Sequence, residues 1–426
     1  MARRNTRPRF ASRLALVPRR ADGSLWFVRR SVLAVALTAI ALSAACASLV
    51  GLSGGSATEA SEGGVDGGLG AETAPSDPCA HAAPPPPPDT DDDPTGQISP
   101  VFMTVREFII TGGGDAGPAR GFDLDGVCTC SKAPGTAMGG AASCVPPDGG
   151  AVVCDEDNGV DRQLSAISEG YPQVLRGVSP DVGGPSLLLR ITGYNGRAND
   201  KQVFVAIYPS VGIRDKSGCG SPDAGGPPYA PTWTGCDKWT VRSAYVLPAS
   251  GTEEPLLLLP AYVNQYRLVL SRSAKTVPLV GNGALLPLSG ATLTGKLVPV
   301  GADMQPVVPR PAVGALFRLE EGLIGGRAST VDMLRAFAEG QAAADGGPLC
   351  GSFPFFETLK ATFLCPNVDL MAKPSDDFTN QTCNAISFSV GFYAQPAMMG
   401  AIADPAPLRC GDSHDPSHDA LYDCTK

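Results

Sequence analysis

Two short turns rich in aspartate offer the clearest chemistry in the 426-residue chain. They span residues 122–126 and 155–161, and each contains a glycine that permits a sharp reversal. Their carboxylates belong to Asp123, Asp125, Asp155, Asp157 and Asp161. A hard cation such as calcium takes about six to eight oxygen ligands from carboxylates and carbonyls. If the two turns converge, the sequence therefore predicts a calcium site between them.

The same aspartates have a second interpretation as turn formers and caps, whose side chains accept hydrogen bonds from nearby backbone N–H groups. The second turn is not an EF-hand loop. Counted from Asp155, its sixth position is Val160 rather than glycine, and its twelfth is Ala166 rather than glutamate. Five crowded carboxylates without a cation would repel one another. That repulsion keeps calcium open as an alternative, while turn forming and capping is the favoured interpretation of the sequence.

Cysteines are concentrated in the same stretch and recur to the end of the chain. Zinc binding by the four thiols between residues 128 and 154 is an alternative, but this stretch lacks paired C-x-x-C knuckles. An exported chain favours disulfides. Twelve of the thirteen cysteines are therefore predicted to pair: Cys79, Cys128, Cys130, Cys144, Cys154, Cys219, Cys236, Cys350, Cys365, Cys383, Cys410 and Cys424.

Loop entropy suggests a connectivity for these twelve cysteines. Short loops cost less entropy to close than long ones, so pairing within local groups is predicted. The four cysteines of residues 128–154 would pair among themselves, and Cys219 would pair with Cys236. Cys79 has no close neighbour, so it is predicted to pair with one of the five cysteines in residues 350–424.

The first 45 residues have the order of an export signal. A basic region that contains nine arginines precedes an apolar run at residues 31–45. A transmembrane anchor is the alternative, but the alanine-rich composition and the Gly/Ser stretch that follows make it the poorer one. Arg29-Arg30 also resembles the twin-arginine motif of proteins that fold before export.

Cys46 directly follows this apolar run. Residues 42–46 read Leu-Ser-Ala-Ala-Cys and resemble the lipobox of bacterial lipoproteins, although Ser43 stands where that family prefers leucine. The resemblance implies that Cys46 is lipidated and that its lipid anchors the chain in a membrane. Ordinary signal-peptidase cleavage after Ala47 is the alternative.

Residues 46–99 are predicted to form a disordered tether rich in Gly, Ser, Pro and Asp. They contain too little apolar surface to offset their chain entropy, and the proline run at residues 84–88 favours polyproline II. The folded part is predicted at residues 100–426. It forms either one domain or two sub-domains at about residues 100–250 and 251–426.

The folded part shows the period-two alternation of strands. It is clear in residues 187–192 and 203–208, which Asn195-Gly196 joins as a hairpin, and in residues 386–392, where one face is predicted to be exposed. Ser329 is predicted to cap one helix. The predicted class is mainly β, an antiparallel β-sandwich-like, disulfide-rich domain with about two short helices. Further strands are predicted at residues 101–110, 241–247, 256–259, 266–270, 293–300 and 313–319.

Charge and aromatic residues limit the possible partners. The net charge is −9 for the chain and −17 for residues 46–426, which argues against nucleic acid and anionic membrane surfaces. Trp233 and Trp239 flank Cys236 in a loop, where they either bind a ligand or cover a core edge. A serine-hydrolase triad would depend on His414 and His418, and no nucleophile elbow accompanies them.

Residues 121–126, 154–165 and 187–196 together resemble a group of predicted lipoproteins from high-GC Gram-negative bacteria. These have a Phe-Asp-Leu-Asp-Gly turn followed by a Gly-Ile-Asp-Asn-type turn, and here Arg162 takes the place of that Asn. The resemblance implies a lipoprotein of the periplasm or cell surface and no known activity.

The sequence therefore favours a tethered, exported lipoprotein that serves in binding or envelope structure rather than an enzyme. It lacks a catalytic constellation, and it identifies no protein or glycan ligand. The alternative is an exported carboxylate- or metal-dependent hydrolase, whose candidate residues would be Asp123, Asp155 and Asp157.

Overall fold

The structure is a computed structural model. It describes residues 81–109, 121–130, 142–147, 150–156, 159–165, 180–215, 219, 227–247, 254–273, 275–281, 284–307, 315–339, 357–358, 360–405 and 424. All of them belong to one unit, Pro75–Lys426. Within these residues, no helix combines the length and the apolar composition that crossing a membrane requires.

Eleven strands and one regular α-helix make up the described elements. The strands are β1 Val101–Ile109, β2 Ser186–Thr192, β3 Asp200–Gly212, β4 Lys238–Val241, β5 Leu259–Asn264, β6 Arg267–Leu270, β7 Val277–Gly281, β8 Ala284–Val300, β9 Leu316–Ser329, β10 Ala385–Pro396 and β11 Met398–Ile402. The helix α1 is Thr330–Glu339. Single turns of 3₁₀ or π-helix lie at Pro180–Val182, Ser243–Tyr245, Lys360–Leu364, Cys365–Asn367 and Pro374–Asp376. The mainly β, sandwich-like, disulfide-rich class is thereby confirmed.

The strands form one sheet that closes on itself. β3 pairs with β2 along one edge, and with β5 and β4 along the other. Eight strands therefore follow one another around a ring, β1-β2-β3-β5-β6-β8-β9-β10, and every pairing in the ring is antiparallel. The parallel pair β4–β11 extends the sheet outside the ring, and β7 pairs with β8. Strands from both halves of the folded part share this one sheet.

The main hydrophobic core uses alternate side chains of all eight ring strands. Met103 of β1, Leu189 of β2, Val205 of β3 and Phe388 of β10 are each at most 1% exposed. A second cluster covers the outer face of β2 and β3, where Tyr208 packs with β4 and β11. The closed ring therefore has a continuous interior and an additional outer layer.

Local rules explain the best-predicted elements. The hairpin β2–β3 forms as predicted, and its connecting loop has Gly196 at φ +75°, a conformation that glycine adopts without strain. Ser329 caps α1, since its Oγ accepts a hydrogen bond from the Asp332 N–H at 3.1 Å. These two sequence predictions are confirmed.

Three strand predictions were wrong. Of residues 256–259, only Leu259 belongs to a strand, because β5 begins there. Strand β4 ends at Val241, and Ser243–Tyr245 forms a 3₁₀ turn, so residues 241–247 are not one strand. The second face of β10 is not exposed, because Ser387 and Ser389 are 0% and 2% accessible. Small polar residues alternate with apolar ones in the same way whether they face water or a polar layer of protein. The alternation therefore could not show that the second face of β10 is buried.

Residues 81–99, which the sequence assigns to the tether, lie against the folded domain. The Tyr262 hydroxyl donates to the Pro85 carbonyl, and Asn264 donates to the Pro86 carbonyl at 2.8 Å. The Ile98 N–H donates to the Tyr194 carbonyl at 2.8 Å. A polyproline segment leaves its carbonyls without internal partners, so it docks readily through such bonds.

Four disulfides join described cysteines. Cys219–Cys236 forms as predicted, Cys130–Cys154 lies within its local group, and Cys365–Cys424 joins two C-terminal cysteines. Cys144–Cys383 contradicts the prediction that the four cysteines of residues 128–154 pair only among themselves.

Cys144–Cys383 closes a sequence separation of 239 residues. Contacts between distant segments of the fold place these two cysteines next to each other, so the entropy of loop closure does not determine this pairing. Cys128 is disulfide-bonded too, to a cysteine outside the described residues. Cys79, Cys350 and Cys410 also lie outside them, so the predicted partner of Cys79 stays a prediction.

Replacing both Cys144 and Cys383 by serine is expected to destabilise the domain more than replacing Cys219 and Cys236. The first bond spans 239 residues and the second 17, so the chain-entropy model gives losses of up to about 5 kcal/mol and about 3 kcal/mol. Urea unfolding of the two double variants measures both losses. A smaller loss for the Cys144/Cys383 variant would contradict the expectation that the bond with the longer loop contributes more stability.

Candidate metal centre

The two acidic turns meet through a short antiparallel contact between Phe122 and Asp161. The Asp161 N–H donates to the Phe122 carbonyl at 3.0 Å. In return, the Leu124 N–H donates to the Asp161 carboxylate at 2.6 Å. The structure therefore provides the convergence that a calcium site requires.

Three carboxylates form the centre of this contact. Oxygen atoms of Asp123, Asp125 and Asp161 all lie within 4.8 Å of one another. Asp123 and Asp161 are 6% and 2% exposed, and Asp125 is half-buried. Two oxygens that each lie about 2.3–2.6 Å from one calcium ion are at most about 5 Å apart, so the spacing suits a single ion. These three residues are called the acidic centre below.

Two further carboxylates border the acidic centre. Asp155 accepts a hydrogen bond from the Thr129 N–H at 2.7 Å and lies within hydrogen-bonding reach of the Asp161 carboxyl. Asp369 accepts hydrogen bonds from the N–H and the hydroxyl of Ser387 on β10. Asp157, which the sequence placed in the same set, lies outside the described residues.

Sequence reasoning missed Asp369 and His81. Asp369 lies far along the chain from both turns, in a segment without a recognisable ligand motif. The His81 ring contacts the Asp123 carboxylate, although the sequence assigns His81 to the tether. Tertiary contacts bring both residues to the centre, and no local pattern could have shown that.

Burial and mutual repulsion raise the pKa of these carboxyl groups. Burial, aided by the charges of Asp125 and Asp123, raises the pKa of Asp155 to about 7. The pKa of Asp161 is raised well above its ordinary value, by burial first and then by the charges of Asp125 and Asp155. Burial likewise raises the pKa of Asp125. These carboxyl groups are therefore more stable when they are protonated or bound to a cation than when they are ionised without a partner.

The nearby arginines have other partners. Arg327 forms a two-pronged pair with Asp377 at 2.7 and 2.6 Å, and Arg162 pairs with Glu156 at 2.8 Å. Among the described residues, His81 supplies the ion pair to the acidic centre, and no lysine or arginine does. The charge of the centre is thus only partly compensated by protein groups.

Backbone hydrogen bonds also support the turn-forming interpretation. Asp123 accepts from the Gly126 N–H at 2.5 Å, and Asp125 accepts from the Val127 N–H at 3.0 Å. Gly126 adopts φ +82°, which only glycine adopts freely. Each of these bonds uses one oxygen of its carboxylate. The two interpretations are compatible in this structure.

Little room exists at the buried edge of the cluster. The cavity bordered by Asp155, Asp161 and Asp369 has a volume of about 10 Å³. A water molecule or an ion needs about that volume, whereas a small-molecule substrate needs a pocket of several hundred Å³. This side of the cluster has room for an ion or a water molecule but not for a substrate, whereas Asp123 and Asp125 line larger cavities of about 350 and 610 Å³.

The cysteines do not form a zinc site. Cys130, Cys144, Cys154 and Cys128 are all disulfide-bonded, so none offers a thiolate to a metal. The Cys128 sulfur lies near His81 and Asp123, but as a disulfide sulfur it is a poor ligand. The disulfide interpretation is therefore the correct one for these four residues.

The tryptophans form part of the outer core rather than an open platform. Trp239 is fully buried, so it cannot contact a ligand, and this corrects its assignment as a binding residue. Trp233 is half-buried, its ring centroid lies 5.8 Å from that of Trp239, and Arg106 lies over it. The residues His414 and His418 lie outside the described part of the chain.

No family model, curated protein or solved structure matches this chain.

The metal-free domain is expected to lose stability as the pH rises from about 4 to about 7. Burial first, then Asp155 and Asp125, raise the pKa of Asp369 to about 7, so the folded chain keeps a proton that the unfolded chain releases near pH 4. Each such group lowers the free energy of unfolding by at most about 1.4 kcal/mol per pH unit in this range.

Asparagine does not titrate, so Asp369→Asn should flatten this pH dependence in the presence of a chelator. Urea unfolding at several pH values measures the slope, with Asp303→Asn, an exposed position, as the matched control. An unchanged slope in Asp369→Asn would contradict the raised pKa.

Proposed function

We propose that the protein is an exported, lipid-anchored β domain in which the acidic centre holds a structural calcium ion. The domain serves in binding or in the structure of the cell envelope. One observation supports the calcium part of the proposal: three carboxylates from two separate turns lie within 4.8 Å of one another and are largely buried. The His81 ring contacts one of them, Asp123.

Export is supported by the disulfides. Four pairs of described cysteines are bonded, and such bonds persist in oxidising compartments. The proposed export signal and the lipidated Cys46 lie outside the described residues, so their support is the sequence pattern. The proposed location is the membrane surface that faces the periplasm, or the cell surface.

A calcium ion in the acidic centre would tie together three parts of the chain. Asp123 and Asp125 belong to the first turn, Asp161 belongs to the second, and Asp369 connects the cluster to β10 through Ser387. Calcium accepts irregular sets of carboxylates and carbonyls, which suits ligands from loops. Its two charges would offset the repulsion that raises the pKa values there.

A hydrolase that uses the same carboxylates is the alternative, and it is the less favoured proposal. Its catalytic groups would have to face a substrate, yet the cavity beside Asp155, Asp161 and Asp369 has a volume of about 10 Å³. Asp125 lines a larger cavity, but the lysine and arginine side chains there suit binding of an anion.

Calcium is expected to raise the melting temperature of the purified domain. At a free concentration one hundred times the dissociation constant, an ion that binds only the folded state adds about 2.7 kcal/mol. For a domain of this size that corresponds to roughly 5 °C. Scanning calorimetry in calcium and in chelator measures the difference.

The variant Asp125→Asn should abolish this rise, because it removes a charge from the centre and keeps an oxygen for the Val127 N–H. Asp303→Asn, on an exposed turn, should keep it. Equal melting of the parent protein in calcium and in chelator would refute the calcium proposal and leave the lipid anchor untouched.

Mass spectrometry of protein expressed with its full N-terminal region should find Cys46 as an acylated N-terminus. The small residues before Cys46 and the tether after it motivate this expectation. A Cys46→Ala variant should leave the membrane fraction. A free N-terminus at Ser48, or an intact chain that keeps residues 1–45, would contradict the lipid anchor.

A further inference from the structure

A second site candidate lies on the other side of the first acidic turn. It is a cavity of about 610 Å³, within the range of small-molecule pockets. Its walls come from the β6–β7 connection, from β8 and from the loop before β10. The residues that line it include Arg272, Lys275, Arg327, Lys373, Asp377 and Phe378. This cavity is called the basic pocket below.

Three exposed cations surround the basic pocket. Arg272, Lys275 and Lys373 form no ion pair within the described part of the chain. The Arg272 guanidinium reaches only the Asp123 carbonyl, at 3.5 Å. The chain as a whole carries a net charge of −9. Three cations without carboxylate partners at one cavity nevertheless form a local positive field, which attracts an anion.

The acids of the pocket do not cancel this field. Asp377 is already neutralised by its two-pronged pair with Arg327. Asp125 is half-buried at the inner wall, whereas Arg272, Lys275 and Lys373 are exposed at the mouth of the cavity. A bound anion would therefore meet mainly the positive side chains.

The wall that carries Lys373 and Phe378 is rigid. Arg327 is 1% exposed and also donates to the Met371 carbonyl at 3.0 Å, which holds the start of this loop. The Phe378 N–H donates to the Ser143 carbonyl at 2.8 Å and fixes the end of the loop. A wall held at both ends is preorganised for binding.

Phe378 is the unusual residue of this wall. Its side chain is 61% exposed, and its backbone has φ +60°, a region that non-glycine residues seldom occupy. An exposed aromatic ring beside cations provides an apolar face next to positive charge. Simple phosphate would use only the charges, whereas a charged sugar uses both the charges and the ring.

We propose that the basic pocket binds an acidic oligosaccharide. Uronate carboxylates would pair with Arg272, Lys275 and Lys373, and one sugar ring would stack on Phe378. The basic pocket borders the acidic centre at Asp125, but its proposed ligand contacts are other side chains, so the inference stands without the calcium proposal.

The test is calorimetric titration of the folded domain with trigalacturonate at low salt. Binding is expected, and maltotriose, an uncharged sugar of the same length, should bind at least about tenfold more weakly because it lacks the carboxylates. The double variant Lys275→Gln, Lys373→Gln should weaken trigalacturonate binding by about tenfold or more, and Phe378→Ala by about fivefold.

The matched control is Lys296→Gln, an exposed lysine of β8 outside this cavity, which should bind as the parent does. Circular dichroism confirms the fold of each variant. Absence of trigalacturonate binding at millimolar concentration, or equal binding of both sugars, would overturn the proposal. Inorganic phosphate that binds as tightly as trigalacturonate, with no effect of Phe378→Ala, would also overturn it, because the pocket would then be a simple anion site.

The sugar and phosphate titrations are done without added calcium, because calcium ions themselves bind uronate and phosphate, and melting curves of separate samples report calcium binding. A failure of the sugar proposal and a failure of the calcium proposal are therefore distinguishable.

Discussion

The hydrogen bonds of the buried Arg327 guanidinium are the interactions on which both the acidic centre and the basic pocket depend. Arg327 is part of β9 and is 1% exposed, so its N–H groups must find acceptors within the protein. It donates to the Leu124 carbonyl at 2.7 Å, to the Met371 carbonyl and to both oxygens of Asp377. Removing one partner of such a buried pair typically costs about 3–5 kcal/mol.

These acceptors position two sites at once. Leu124 lies between Asp123 and Asp125, so its bond to Arg327 fixes the first acidic turn. Asp377 precedes Phe378, so the same guanidinium fixes the wall of the basic pocket. The acidic centre and the basic pocket are thus both positioned by one buried arginine.

Small residues on β9 and β10 allow the two acidic turns to pack closely against the sheet. A Cβ on Gly325 would lie 2.6 Å from the Ser389 hydroxyl and 2.9 Å from the Phe122 ring. Ser389 donates to the Asp161 carbonyl at 3.2 Å, and Ser165 donates to the Ser389 carbonyl. The outer face of β10 is therefore a polar contact surface, which explains why it is buried although it carries serines.

Sequence patterns predicted the features that depend on residues close together in the chain. The inner faces of β2, β3 and β10, the Ser329 cap and the Cys219–Cys236 bond follow from periodicity, capping and short loops. The turn aspartates were also found by their spacing. Closure of the ring through β3–β5, the Cys144–Cys383 bond and the placing of Asp369 and His81 depend on contacts between distant segments, which leave no local signal.

The central claim is that the acidic turns hold a cation. X-ray diffraction from crystals grown with calcium, recorded at a long wavelength, tests it most directly, because anomalous scattering locates the ion. The account predicts one anomalous peak between the carboxylates of Asp123, Asp125 and Asp161, about 2.3–2.6 Å from their oxygens. Well-ordered carboxylates with no peak between them would contradict it.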